Sequence, residues 1–218
     1  MFYDFFIELT TYMGDLFMNK KWISKLACDI EVKFGKKARN RLFGDIDSIK
    51  NNPKNLSAWF ENFTTGMDDL NDKEFLQQMM VKHCPCGRGD VVNGKAMREF
   101  YDKNKTLEGF VNSFYKWLHK KYNGDVDKME LRGNVLYMIK PLKINRNAGN
   151  CGKGCHCSLA KYTDKNVSDI FCYCCTIGHT GRMFKAVFGN DIKMEFIESI
   201  ICGGKECIMA IHLPKKDN

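Results

Sequence analysis

The side chains best suited to chemistry in this chain are its cysteines, and most of them are grouped. The sequence holds eleven cysteines, and ten of these lie within five residues of another cysteine. The four groups are Cys84 and Cys86; Cys151, Cys155 and Cys157; Cys172, Cys174 and Cys175; and Cys202 and Cys207. Zinc takes four nitrogen or sulfur ligands, and iron–sulfur clusters commonly take four thiolates. Ten grouped cysteines could fill two such sites, so the sequence predicts a thiolate-bound metal, either zinc or an iron–sulfur cluster.

The C-x-C spacing restricts where these cysteines can share a metal ion. On an α-helix, residues i and i+2 point about 200° apart, whereas on an extended strand they face the same way. The CPC, CHC and CYC triplets are therefore competent for shared ligation only outside helices, and the pattern predicts loops or strands at all three. The spacings match neither the paired C-x-x-C of zinc ribbons nor the ferredoxin runs, so they do not specify the metal.

Two other interpretations of the cysteines stay open. A cysteine can simply be a small buried apolar residue, which is favoured for the isolated Cys28 and is as good as ligation for Cys172 and Cys202. A cysteine can also be a reactive thiolate, because neighbouring cations favour the ionised form. The cations near the grouped cysteines are His83, Arg88, Lys153, His156, His179 and Arg182. The alternative function is then a thiol-dependent or metal-dependent enzyme, a hydrolase or reductase, that uses the CPCGRG or CHC loop.

Composition and motifs argue against several function classes. The formal charge of +8 arises from lysines scattered among acidic residues, without an arginine-rich or aromatic-basic signature, so we expect no nucleic-acid partner. The sequence has no H-E-x-x-H pair, no P-loop, no G-x-G-x-x-G and no G-x-S-x-G. Metalloprotease, nucleotide-binding and serine hydrolase chemistry therefore have no support, and the sequence names neither a reaction nor a catalytic residue.

The first twenty residues bear on the compartment. They are apolar but include Asp4, Glu8 and Asp15, and they lack both a basic start and a small-residue cleavage site. The segment is therefore interpreted neither as a signal peptide nor as a membrane span, and we expect a cytoplasmic protein without a membrane partner. In a reducing cytoplasm, eleven cysteines are better explained as ligands, reactive thiols or core residues than as a disulfide framework.

The elements that must position these cysteines begin with helices. Apolar residues at helical spacing predict two or three helices in residues 1–50, with Gly35 and Gly44 as stops. Ser57 is a candidate N-cap for the next helix, LSAWFENFTTGMDDL. Its inward-facing residues are expected to be Trp59, Phe60 and Phe63. DKEFLQQMMVKH predicts another helix that ends at the CPCGRG turn, and residues 104–122 show the strongest helical periodicity in the chain.

Strand patterns follow in the second half. After a short helical piece near residues 125–131, NVLYMIKPL predicts a strand, and CSLAKY and DIFCYCC are two further candidates. HTGRMFKAVFG predicts a helix, and DIKMEFIESII and ECIMAIHLP predict an antiparallel hairpin joined by GGK. The expected fold class is α+β, with a helical N-terminal half packed on an antiparallel sheet that ends in a β-hairpin. We expect one domain over 1–218, with 1–130 mainly helical and 134–214 carrying the sheet and most cysteines.

The order of elements over residues 172–214 resembles a known family. The expected elements are a cysteine-containing strand, a helix ending in FG, a strand with Glu198 and Ser199, a glycine turn and a last strand CIMAIHLP. This order is similar to the C-terminal part of the 4-vinyl reductase-like superfamily. It is also similar to the bacterial L-2-amino-thiazoline-4-carboxylic acid hydrolase-like proteins. The resemblance implies an α+β fold with a pocket for a small hydrophobic molecule; a homodimer is left open. It also implies a zinc site at Glu198, Cys202 and Cys207, with Cys174 or Cys175 as the missing ligand.

Overall fold

The structure is a computed structural model that describes residues 2–45, 53–84, 89–121, 128–140 and 166–216. Its α-helices are α1 (Phe2–Phe43), α2 (Pro53–Asp68), α3 (Lys73–Lys82), α4 (Gly89–Lys103), α5 (Leu107–Lys121), α6 (Asp169–Tyr173) and α7 (Gly181–Phe188). Its strands are β1 (Lys128–Arg132), β2 (Val135–Lys140), β3 (Met194–Glu198) and β4 (Cys207–His212). A π-helix (Cys174–Thr180) joins α6 to α7, and a 3-10 helix (Ile200–Cys202) lies between β3 and β4.

The glycine stops predicted in the first helical region are confirmed. Helix α1 breaks at Gly35, whose φ is +83°, and ends before Gly44, whose φ is +56°. Both values lie in the left-handed region, which glycine adopts without a steric penalty. Within residues 21–30 of α1, the buried apolar side chains are Trp22, Ile23, Leu26, Ala27 and Ile30.

Helix α2 confirms the predicted inward face but not the predicted cap. Trp59, Phe60 and Phe63 are all buried, as their helical spacing indicated. Ser57, however, lies inside the helix, which begins four residues earlier at Pro53. Proline suits the first turn of a helix because the amide hydrogen that it lacks would have no intrahelical partner there. The N-cap assignment of Ser57 is therefore wrong.

The next helices divide into two that were predicted and one that was not. Helix α3 is capped by Asp72, whose carboxylate accepts a hydrogen bond from Phe75 N at 3.1 Å. Helix α5 buries the apolar stripe that defined it in the sequence. Helix α4 was not predicted, because its apolar spacing is weak and it contains Gly94. A Cβ atom at Gly94 would lie 3.7 Å from Ala186 Cβ, so this glycine sits at the contact between α4 and α7.

The four strands form one antiparallel sheet in the order β1-β2-β4-β3, which confirms the predicted α+β class. The expected strand at β2 and the β3–β4 hairpin are both present, but β3 ends at Glu198, and residues 200–202 form the 3-10 helix where a strand was expected. The helical piece expected near residues 125–131 is wrong, because residues 128–132 form β1. In β1, Met129 and Leu131 alternate with charged residues and pair with Met138 and Leu136 of β2, which is strand periodicity. The sheet thus begins before residue 134, the boundary expected from the sequence.

The strand predicted for DIFCYCC is wrong as well. The aromatic and cysteine content suggested a strand, but residues 169–188 form one continuous helical segment: α6, the π-helix and α7. Ser168 caps its start by accepting a hydrogen bond from Ile170 N, and Thr176 Oγ donates to the backbone oxygen of Cys172 at 2.8 Å. The candidate strand CSLAKY lies outside the described residues.

Most buried apolar side chains of the described residues belong to two hydrophobic clusters. The first joins α1, α2, α3 and α6, and the second joins α4, α5, α7 and the sheet. The helical segment 169–188 contributes to both, with Phe171 in the first cluster and Phe184 in the second. Among the helices in the described ranges, none has the length and apolar character needed to cross a membrane.

Candidate functional site

Three of the predicted cysteines converge on one buried hydroxyl. The Cys172 thiol donates to Ser199 Oγ at 3.0 Å, and the Cys207 thiol donates to the same oxygen at 3.7 Å. Cys202 Sγ lies 3.6 Å from Cys172 Sγ. We call these four residues the Ser199 cluster. It brings together cysteines from two of the four sequence groups, up to 35 positions apart.

Each member of the Ser199 cluster is held by a different short element. Cys172 belongs to α6, Cys202 ends the 3-10 helix, and Cys207 begins β4. The chain turns after Cys202 at Gly203, whose φ is +98°. A hydrogen bond from Val167 N to Ile201 O, 2.9 Å long, ties the residues before α6 to the 3-10 helix. This backbone contact keeps the Cys172 and Cys202 thiols together.

The members of the cluster differ in exposure. Cys172 and Cys207 are buried and Ser199 is 2% exposed, whereas Cys202 is half-buried. The hydrogen bond with Cys172 is the main cause that lowers the pKa of the Cys202 thiol. Burial acts in the opposite direction, and a further hydrogen bond from Ser199 again lowers the pKa. Cys202 is therefore the member with both solvent access and the more easily ionised thiol.

Glu198, expected from the resemblance to be a metal ligand, has a structural task in the hairpin. Its Oε1 accepts hydrogen bonds from the backbone amides of Lys205, at 2.5 Å, and Glu206, at 3.2 Å. The carboxylate packs so closely on the turn that a Cβ at Gly204 would lie 2.6 Å from Oε1. Glu198 thereby satisfies amides of the connection that leads into Cys207.

Cys174 and Cys175 lie on the π-helix and therefore not on the strand that the C-x-C argument required. Cys174 is buried in the first hydrophobic cluster. Cys175 is half-buried, and Lys140 Nζ donates to its sulfur at 3.8 Å. Lys140 is only 9% exposed and is the cross-strand partner of Cys207 in the β2–β4 ladder. A buried ammonium thus lies between the π-helix and the strand that begins at Cys207.

Cys84 lies at a second thiol–cation contact, at the end of α3. Arg182 Nη2 donates to Cys84 Sγ at 3.9 Å. The backbone of Gly178 packs against this cysteine, since a Cβ there would lie 3.0 Å from Cys84 Cβ. The neighbouring His83 instead contacts Asp29, at 2.8 Å between Nε2 and Oδ2. In the contacts described here, Cys84 therefore faces the π-helix, whereas His83 faces α1.

The expectation that Cys28 is a core residue is wrong. It is exposed on α1, because the buried stripe of that helix runs through Leu26, Ala27 and Ile30 and leaves position 28 on the outer side.

The remaining predicted ligands lie outside the described residues. These are Cys86, Cys151, Cys155 and Cys157. Within the ranges that the structure does describe, no three His, Cys, Asp or Glu side chains are arranged to hold a metal ion. Among the predicted ligands, the sulfurs of Cys172 and Cys202 lie 3.6 Å apart.

Sequence reasoning missed two residues of this region as site residues, Ser199 and Lys140. A signal for Ser199 exists: it directly precedes the apolar run IIC of residues 200–202, and a hydroxyl that is buried there requires a hydrogen-bond partner. Lys140 ends the apolar strand VLYMI and gives no such signal, because a lysine at a strand end is normally solvated.

Two surface grooves are lined by described residues. One, of about 340 Å³, lies between α1 and α2 at Arg41, Glu61 and Asp69. The other, of about 470 Å³, lies beside the start of α5 at Thr106, Asn134 and Lys216. Both are open and have charged residues in their walls, so neither resembles the apolar pocket expected for a small hydrophobic molecule.

In the comparison with known proteins, only the C-terminal part of the chain matches a protein family. Residues 152–217 match the model of a family of unknown function, DUF6144. The match covers less than half of the chain and includes the helical segment 169–188, the β3–β4 hairpin and the whole Ser199 cluster. Neither the curated proteins nor the solved structures give a match.

Proposed function

We propose that this protein binds a metal ion through cysteine thiolates, with the Cys172–Cys202 pair supplying two of the ligands. The observation that carries the proposal is the 3.6 Å separation of the two sulfur atoms. Zinc–sulfur bonds are about 2.3 Å long, so two thiolates of a tetrahedral site lie about 3.8 Å apart. The pair therefore needs only a small adjustment to share one ion.

The other ligands are assigned to the remaining grouped cysteines. Cys207 is one candidate, because it shares the hydrogen-bond acceptor Ser199 Oγ with Cys172. The rest of the set is Cys84, Cys86, Cys151, Cys155, Cys157, Cys174 and Cys175, with Glu198 as the oxygen ligand implied by the resemblance. Lys140 and Arg182 support thiolate character in this region, since each places a positive charge near a cysteine sulfur.

Zinc and an iron–sulfur cluster are both compatible with these ligands, and one experiment separates them. Elemental analysis of the anaerobically purified protein, together with its visible spectrum, should give stoichiometric colourless zinc or a brown iron–sulfur chromophore. Cys172→Ser and Cys202→Ser should each lower the bound metal to well below one equivalent. The control is Cys28→Ser, an exposed cysteine on α1, which should keep the full content. Protein with no stoichiometric metal would remove the proposal.

The alternative proposal is a thiol-dependent or metal-dependent enzyme acting on a small molecule. It is supported by Cys202, which combines partial exposure with a lowered pKa, the properties of a nucleophilic cysteine. A hydrolase or reductase of this kind should lose turnover in Cys202→Ser while keeping its fold by circular dichroism. Unchanged turnover in that variant, on any substrate found, would contradict a role for this thiol.

The resemblance to the 4-vinyl reductase-like and thiazoline hydrolase-like proteins also supports a metal site and a small-molecule ligand. The resemblance rests on the order of elements over residues 172–214, of which the first, a cysteine-containing strand, is helical in the structure. A bound small hydrophobic molecule and a cytoplasmic location belong to the same proposal, and the reducing cytoplasm would keep the thiols available for metal. Extraction of the purified protein with organic solvent, followed by mass spectrometry, tests for the small molecule.

A further inference from the structure

The Cys172–Cys202 pair also has the arrangement of a peroxide-sensitive thiol with a second thiol beside it. The two sulfurs are 3.6 Å apart, and their donor–acceptor contact brings them together before any bond forms. We propose that Cys202 is a site of oxidation by hydroperoxides and that Cys172 then closes a disulfide with it. This inference goes beyond metal binding, because it requires neither a metal ion nor a substrate of the enzyme alternative.

Exposure assigns different roles to the two thiols. Cys202 is half-buried at the end of the 3-10 helix, so a small peroxide can reach its sulfur. Cys172 is only 5% exposed and lies in the first hydrophobic cluster. The accessible thiol is therefore attacked first, and the buried one resolves the product. Susceptibility to oxidation follows exposure in this way in other proteins.

Formation of the Cys172–Cys202 disulfide consumes one hydroperoxide. The Cys202 thiolate attacks one peroxide oxygen, the O–O bond breaks, and a sulfenic acid forms as the alkoxide leaves and takes up the thiol proton as alcohol. The Cys172 sulfur then attacks the sulfenic sulfur, the S–O bond breaks and water leaves with the Cys172 proton. The two thiols have lost two electrons in total, and the peroxide has gained them.

The backbone around Cys172 and Cys202 favours formation of the disulfide, because it holds the two cysteines close together. The hydrogen bond from Val167 N to Ile201 O holds the residue next to Cys202 against the start of α6. A disulfide requires an S–S distance of about 2.05 Å, so the sulfurs must approach by rotation of side chains. The cysteines are separated by 30 positions, and their bond would fix α6 to the β3–β4 connection.

The test is peptide mapping of the full-length protein, treated with hydrogen peroxide in the presence of a chelator. Trypsin should release residues 166–182, which contain Cys172, and residues 194–205, which contain Cys202 as their one cysteine. We expect these two peptides to be joined by a disulfide, with fragmentation placing the bond at Cys172. Because a chelator is present, the result is independent of whether the protein binds metal, and metal content is measured separately.

Two variants check the order of events. In Cys172→Ser, peroxide should leave Cys202 as a sulfenic acid that dimedone traps, and in Cys202→Ser the cross-link between the two peptides should be lost. Cys28→Ser is the matched control and should oxidise like the unsubstituted protein. The mapping of the unsubstituted protein does not depend on whether the variants fold. A Cys202 that stays reduced under conditions that oxidise Cys28, or that joins a different cysteine, would overturn the proposal.

Discussion

At the scale of single residues, the most informative side chain is Ser199. Its hydroxyl accepts from both Cys172 and Cys207, so it fixes the rotamers of two thiols that come from different elements. A buried hydroxyl in an apolar surrounding is stabilising only when its hydrogen bonds are made. The positions of the two thiols therefore depend on a residue that is not itself a cysteine.

Replacement of Ser199 by alanine should lower the free energy of unfolding by about 1–2 kcal/mol, because Cys172 and Cys207 lose their shared acceptor. Urea denaturation followed by circular dichroism measures the change. Cys28→Ala, at an exposed position of α1, is the control and should stay within about 0.5 kcal/mol. A loss at position 199 no larger than that of the control would contradict the role given to the hydroxyl.

Asp29 should contribute to the loss of folding stability at acidic pH. Burial raises its pKa, but hydrogen bonds from Lys82 and His83 outweigh burial, so the pKa lies below its ordinary value. A lowered pKa in the folded state gives stability that is present above the unfolded pKa of about 3.9 and lost as the pH falls through the folded pKa.

Asp29→Asn should therefore destabilise the protein at pH 7 by about 0.5–1 kcal/mol. This difference from the unsubstituted protein should shrink as the pH falls below about 4. Urea denaturation at several pH values measures it. Asp69→Asn removes the more exposed pair with Arg41 and should have the smaller effect. A pH-independent difference for Asp29→Asn would contradict the assignment.

At the scale of elements, the π-helix is the unpredicted feature that bears most directly on the cysteines. Wide turns of this kind are rare and occur often at functional sites. Here the π-helix runs from Cys174 to Thr180, so it carries two of the grouped cysteines, and its glycine lets α3 approach. The CYC triplet is helical and packs against α3, so Cys172 and Cys174 do not face the same way as they would on a strand.

Gly178 is the position at which this approach can be tested. A Cβ there would lie 3.0 Å from Cys84 Cβ, 3.2 Å from Tyr173 O and 3.2 Å from Val81 Cα. Gly178→Ala should thus cost about 1–3 kcal/mol through overpacking. Gly94→Ala, where the nearest atoms lie 3.7 Å away, is the matched helical control and should be neutral or stabilising by up to about 1 kcal/mol. Equal thermal midpoints for the two variants would contradict tight packing of the π-helix.

The sequence predicted most elements whose periodicity is strong and failed where tertiary contacts decide. The stripe of α5 and the alternation of β4 were sufficient, since α5 buries one face and β4 buries Cys207, Met209 and Ile211. Residues 169–175 were predicted as a strand but are helical, and the region of β1 was predicted as a helix but is a strand. Both segments are short, and their composition does not distinguish helix from strand. For the site, the grouping of cysteines indicated the region, but the convergence of Cys172 and Cys202 depends on contacts between residues 30 positions apart.

At the scale of the whole molecule, two hydrophobic clusters share one helical segment. Residues 169–188 contribute Phe171 to the first cluster and Phe184 to the second. Neither cluster can lose this segment without exposing the side chains packed against it. The described core should therefore unfold cooperatively, although its two clusters involve different helices.

The three tryptophans allow this cooperativity to be measured. Trp22 and Trp59 lie in the first cluster, and Trp117 packs against the second. Variants with phenylalanine at two of the three positions, keeping either Trp59 or Trp117, should show a fluorescence midpoint in urea that coincides with the circular dichroism midpoint of the same variant. Two separated transitions in either variant would show that the clusters unfold independently.

The edges of the sheet have a consequence for how chains behave at high concentration. Edge strand β1 carries Lys128, Glu130 and Arg132, linked by ion pairs, and edge strand β3 is interrupted by a register shift between Phe196 and Glu198. Charges and bulges at exposed edges hinder the addition of a strand from another molecule. The sheet that presents Cys207 is thus protected from aggregation through its edges, even though Ile197 is half exposed beside the shift.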